Sequence, residues 1–149
     1  MGVEPYKRVL TVPRPDDTDY VEVPGSNGAF QMKPLRGDLA KEAGTYLTRL
    51  SPGAWVPWHY HSATEEFVVL KGSVVVQRMG TDAIPLGLGG YSQLPGTHIH
   101  RFRCTEEGEC VLFGVGEAAF DIHWVDEDGN PISEDEAKNR AAKQGAQTW

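Results

Sequence analysis

An all-β sandwich or barrel is the fold class this sequence predicts, and three observations carry the prediction. Short apolar runs with turn residues between them recur at nearly even spacing from Thr45 to Val125, which is the pattern of an all-β domain. Glycine (17) and proline (10) make up about 18% of the chain, against an average of about 12%. Apolar residues form 40% of 149 residues, enough for one packed core and too little chain for a second domain of ordinary size.

The elements follow in order. Residues 1–44 read as an irregular N-terminal extension, because Pro13, Pro15, Pro24 and Pro34 interrupt every candidate helix. Within it only Arg8–Val12 and Phe30–Lys33 look extended, and the segment either adds an edge strand or lies across a partner subunit. Residues 45–125 read as the barrel. Its strands are predicted at Thr45–Leu50, Val56–His61, Glu65–Leu70, Ser73–Arg78, Ala83–Leu86, Tyr91–Leu94, His98–Arg103, Cys110–Val115 and Ala119–Val125. The turns between them fall at Ser51-Pro-Gly53, Lys71-Gly72, Gly80-Thr-Asp82, Gly87–Gly90, Pro95-Gly96 and Glu106–Gly108. Residues 126–149 read as a tail with a short helix. Ser133 and Glu136 stand at capping-box spacing ahead of a run of helix formers that ends before Gly145.

Fourteen basic against twenty-one acidic residues leave a formal charge of −7. An acidic chain with no Lys/Arg cluster is a poor partner for nucleic acid or an anionic membrane, and no helix-turn-helix pattern is present. No apolar stretch reaches the length of a membrane span. The first residues have neither a signal-peptide pattern nor the Ser or Thr that myristoylation needs at Tyr6. With two cysteines, too few for a disulfide framework, the expectation is a reduced, cytoplasmic protein in which Cys104 and Cys110 are small core residues.

Strand parity brings chemistry to one place. His59 and His61, two apart on a strand, point to the same side. Glu65 follows a short turn and returns to that side if its strand pairs back on the histidine strand. His100 lies 39 residues after His61 on a separate strand and approaches from the opposite wall. Taken singly, an HxH pair is often two hydrogen-bonded polar residues, Glu65 beside Glu66 suits a solvated turn, and His100 suits an ordinary half-buried histidine. Together, three imidazoles and a carboxylate make a divalent-metal site with open positions. Phe67, Val69 and Phe102 share the inward parity and are expected to line a partly apolar substrate pocket. His98, two residues before His100, shares its parity and so turns inward as the candidate catalytic base or a substrate contact, the plainer alternative being a histidine at the barrel mouth in contact with water. Trp58, Tyr60, Arg101 and Arg103 alternate outward, and His123 has no assigned role. Beyond its glutamates, Glu65–Leu70 is apolar on both faces, which suggests an outer covering, by a homodimer partner or by a terminal segment of the chain.

These residues resemble a family. Gly53-x5-His59-x-His61-x3-Glu65-x6-Gly72 matches the first motif of the cupins at every spacing. Gly89, Pro95 and His100 meet the second, which departs at Thr97, in place of a glycine, and at Cys104, in place of an asparagine. The resemblance spans roughly residues 45–125. It implies a double-stranded β-helix, the cupin jelly roll, that is usually dimeric, with His59, His61, Glu65 and His100 holding one divalent ion: Fe, Mn, Ni, Co or Zn. The tail Phe113–Ile132 is loosely similar to that of acetylacetone dioxygenase-like cupins, although those lack the glutamate ligand present here as Glu65. The implied activity is a dioxygenase acting on an enolisable small molecule. The alternatives are a redox-neutral isomerase or lyase on a sugar or hydroxy-acid, and a non-catalytic metal- or metabolite-binding protein.

Overall fold

The structure, a computed structural model, describes residues 19–143. The expected strand at Arg8–Val12 lies outside them. Alternating apolar residues and glycine-rich turns give eleven strands in the described residues: β1 (Val21–Glu22), β2 (Gln31–Arg36), β3 (Gly44–Leu50), β4 (Trp55–Tyr60), β5 (Glu65–Lys71), β6 (Val74–Arg78), β7 (Ile84–Leu86), β8 (Tyr91–Leu94), β9 (His100–Cys104), β10 (Cys110–Gly116) and β11 (His123–Trp124). One helix follows, α1 (Glu134–Lys143). Ser133 Oγ accepts the Glu136 amide at 3.1 Å, so it caps α1 as its position in the sequence predicts.

The strands form two antiparallel sheets. One has the order β1-β2-β3-β10-β5-β8 and the other β11-β4-β9-β6-β7. From β3 onward the chain passes back and forth between the layers, with β6 and β7 the one consecutive pair in the same sheet, which is the double-stranded β-helix. Residues buried between the layers, including Leu50, Val56, Val69, Val74, Phe102 and Leu112, make the core. Along β5 the inward residues Glu65, Phe67 and Val69 are buried, while the outward Val68 is half-buried and Leu70 is 47% exposed.

Residues 19–44 are part of this architecture. β1 and β2 extend the larger sheet through β3, and Val23, Phe30 and Met32 enter the core. The turn between them is anchored from the opposite end of the chain, because the Trp124 indole donates to the Pro24 carbonyl at 3.1 Å.

Three expectations are corrected. Ala119–Val125 is not one strand: only His123–Trp124 pairs with β4. The backbone before it bonds elsewhere, Glu117 N–H to Thr64 O at 3.2 Å and Phe120 N–H to Leu39 O at 2.6 Å. The strand expected from His98 begins at His100, because a turn holds the preceding residues: His98 N–H donates to Pro95 O at 3.1 Å and Thr97 takes φ 68°. Cys104 and Cys110 are not free thiols. The turn from β9 to β10 brings their Cα atoms to 5.9 Å, and they form a disulfide that is fully buried. The cysteine count therefore no longer argues for a reducing compartment.

Candidate metal centre

β4 and the residue after it, β5 and β9 carry the four residues picked out in the sequence. His59 pairs directly with His100 across β4 and β9, so their side chains leave the sheet on the same face. His61 lies just beyond β4, and Glu65 opens β5. All four are buried: His59 0%, His100 1%, His61 4% and Glu65 7% exposed. One nitrogen from each of His59, His61 and His100 falls in a group whose members lie within 4.8 Å of one another. The ring centroids are 4.3 Å apart for His59–His100, 4.9 Å for His59–His61 and 5.2 Å for His61–His100.

Backbone carbonyls fix the tautomers. His59 Nδ1 meets Pro57 O at 2.6 Å, His100 Nδ1 meets His98 O at 3.0 Å and His61 Nδ1 meets Asp121 O at 2.6 Å. A carbonyl only accepts, so each Nδ1 carries the hydrogen and each Nε2 presents a lone pair. Nε2 of His59 and of His100 is buried with no hydrogen-bond partner. Two buried acceptors left unsatisfied beside one another are costly unless something binds them. His61 Nε2 faces Glu65 Oε2 at 3.2 Å. Two lone pairs meeting there need a shared proton or a cation between them.

The electrostatics agree. Burial, followed by the neighbouring histidines, holds His59 well below the usual histidine range. Burial and His61 push His100 down to about 3. Both rings are thus neutral, the form that ligates a metal. Burial raises the Glu65 carboxyl, against the opposing pull of His61 and Tyr46. The donor set of three neutral imidazoles beside one carboxyl suits a divalent transition metal, and the orphaned nitrogens are where such an ion fits.

Several neighbours of the site escaped the sequence reading. Tyr46, on β3, is buried, and its phenol is raised by burial and by the Glu65 carboxyl to which it hydrogen-bonds. Its ring lies over Gly114 of β10, where an added Cβ would collide with Tyr46 Cε2. Gly114 therefore has to be glycine for the ring to stay there. Aromatic rings wall the histidines. Trp124 lies 5.3 Å and Phe102 5.9 Å from His59, Phe120 lies 5.1 Å from His61, and Phe30 meets both phenylalanines edge-on. Of these only Phe102 was expected at the pocket. Phe67 and Val69 are buried in the core on the Glu65 face of β5. The parity that turned His98 inward does not apply, because it precedes β9: His98 is exposed in the turn, and its carbonyl is the group that meets His100. On the outer face Arg101 stacks over Trp58 at 4.4 Å, and Tyr60 stacks on His123 at 4.6 Å.

With this geometry in hand, comparison with known proteins is decisive for the family. The Cupin domain family matches residues 46–116, which contain all four buried residues. Residues 46–116 are a cupin domain. No curated protein sequence matches it. Among solved structures it is similar to a cupin-like protein from Thermotoga maritima, with 22% identity over 75% of this chain and 84% of that one, at TM-score 0.57. It is also similar to the DMSP lyase DddQ from Ruegeria pomeroyi, with 19% identity over 70% of this chain and 54% of that one, at TM-score 0.55. A third is a single-site variant of oxalate decarboxylase from Bacillus subtilis, with 19% identity over 77% of this chain and 30% of that one, at TM-score 0.54. This cupin thus spans about half of the lyase and a third of the decarboxylase. Its Thr97 stands where the family's second motif has glycine, and it still takes the left-handed conformation that glycine supplies freely.

Proposed function

We propose that this cupin is a mononuclear metal enzyme acting on a small chelating metabolite. His59, His61 and His100 would hold the ion, with Glu65 as the fourth ligand. The observation that carries the reading is the pair of buried, unpartnered Nε2 atoms of His59 and His100. When bound, a divalent transition metal supplies Lewis acidity, which lowers the pKa of a coordinated hydroxyl or enol.

The chain's own residues do the rest. The backbone carbonyls hold the three rings with their lone pairs inward. Phe102, Phe120 and Trp124 exclude water and strengthen electrostatic interactions inside. Tyr46 hydrogen-bonds the Glu65 carboxyl, whose Oε2 faces His61.

The finer reading is a dioxygenase of an enolisable substrate, in which O₂ is the co-substrate. A redox-neutral lyase or decarboxylase is the second reading, favoured by the names of the lyase and decarboxylase whose folds this chain shares. A homodimer formed through the outer face of β5 and its neighbour β8, where Leu70 is 47% and Tyr91 55% exposed, completes the proposal.

Elemental analysis of protein purified without chelators should find about one transition-metal ion per chain. A substrate screen in air and under nitrogen then separates the two readings. Turnover that consumes O₂ supports the dioxygenase, whereas turnover that persists under nitrogen supports the lyase. Absence of metal, with none taken up on addition, would sink both.

A further inference from the structure

The three histidines are not held in the same way. His59 and His100 are oriented by carbonyls two residues back in their own segments, those of Pro57 and His98. His61 is oriented by the carbonyl of Asp121, 60 residues away. The Asp121 side chain fastens this contact in place. Its Oδ1 accepts the Ser62 amide at 2.7 Å, and its Oδ2 accepts both the Ser62 hydroxyl and His123 Nε2, the latter at 3.0 Å. Ser62 directly follows His61. One residue thus grips the ring through its main chain and the adjacent backbone through its carboxylate.

The surrounding segment packs Phe120 and Ile122 against the core but has few backbone ties. Between Gly116, the end of β10, and His123 it has no ladder partner, and it is tied through Glu117 N–H to Thr64 O and Phe120 N–H to Leu39 O. Phe120 packs on the His61 ring at 5.1 Å. Undocking this segment would free His61 Nδ1 and expose the ring, while leaving His59 and His100 set.

We propose that Asp121 is a positioning residue that couples docking of residues 117–123 to completion of the cation site. The coupling is reciprocal. A cation bound to His61 favours the docked segment, and the docked segment favours the cation by the same factor. The inference rests on the metal reading above and goes further, since that reading gives no role to the Asp121 side chain, Ser62 or His123.

Co²⁺ added to the metal-free full-length chain tests it, because affinity and visible absorption report separately. Asp121→Ala should weaken Co²⁺ binding about tenfold, the scale seen when a group supporting a ligand is lost, and should alter the Co²⁺ absorption spectrum. Asp121→Asn, which still offers an oxygen to the Ser62 amide, should recover part of the affinity. In the wild type, Co²⁺ should slow amide exchange in residues 117–123, and this protection should be lost in Asp121→Ala. If Asp121→Ala fails to fold, Ser62→Ala removes one arm of the clamp and should show the same changes at smaller size. An unchanged affinity and spectrum in a folded variant overturn the proposal, as does wild-type protein that binds Co²⁺ without protecting the segment. Wild-type protein that takes up no Co²⁺ overturns the metal reading and this proposal together, so the two failures are distinct.

Discussion

His59 and His100 face each other across β4 and β9, whereas His61 stands just past the end of its strand and leans on the tail. The first two need little beyond the local backbone, since pairing the strands places them and carbonyls two residues back orient them. The third needs a contact that closes late in the chain. Part of the site is therefore built by sheet register, and part by docking of an irregular segment. The register-built part is the more robust, because it cannot be lost without breaking the ladder that also holds the core.

The largest test of that contrast removes a ring from the robust half. His59→Ala or His100→Ala should abolish stoichiometric metal while leaving the β-sheet circular dichroism intact, because each deletes a donor without touching the ladder. Full metal content in both variants would show that the ion sits elsewhere. A smaller effect is expected at the far end of β9. Cys104 lies four residues beyond His100, about 13 Å along an extended strand. Replacing both cysteines by serine should lower stability by about 2 kcal/mol, on the loop-length account of a short disulfide, and leave metal affinity unchanged. Denaturant titration and a metal-binding isotherm measure the two halves of that statement, and a large affinity loss would mean that the two ends are coupled.

The smallest effect concerns pH. His59 and His100 are held below their unfolded value of 6.5, His100 at about 3. Between those limits the unfolded chain binds more protons than the folded one, so stability rises with pH. The His100 contribution is complete above about pH 6.5 and is lost as acid is added toward about pH 3, and that of His59 is likewise lost as the pH falls below 6.5. Glu65, raised in the fold, acts with the opposite sign from its ordinary 4.5 upward. Metal-free protein should therefore denature at lower urea concentration at pH 5 than at pH 7, with a shallower dependence in His100→Ala. An equal slope in the variant would mean that His100 is not the group responsible.

What was legible in the sequence follows the period of two. The spacing of His59, His61, Glu65 and His100 survives folding because strand parity is a local rule, and the same rule correctly set Phe67 and Val69 inward. It failed at His98, where a left-handed Thr97 and a turn replace the strand on which the rule depends. Tyr46 was out of reach for another reason. Its ring lies beside Glu65 through the registers of β3, β10 and β5 and the missing side chain of Gly114, and no single segment shows those registers. Asp121 is further still, since its contact spans 60 residues and runs through a backbone atom that every residue type has. The disulfide was missed because counting cysteines says nothing about the distance between them.

That bond also has a mechanical meaning. Cys104 ends a strand of one layer and Cys110 begins a strand of the other, so the covalent link works like the spine of a book whose covers are the two sheets. The two covers cannot part at that edge while the bond is intact.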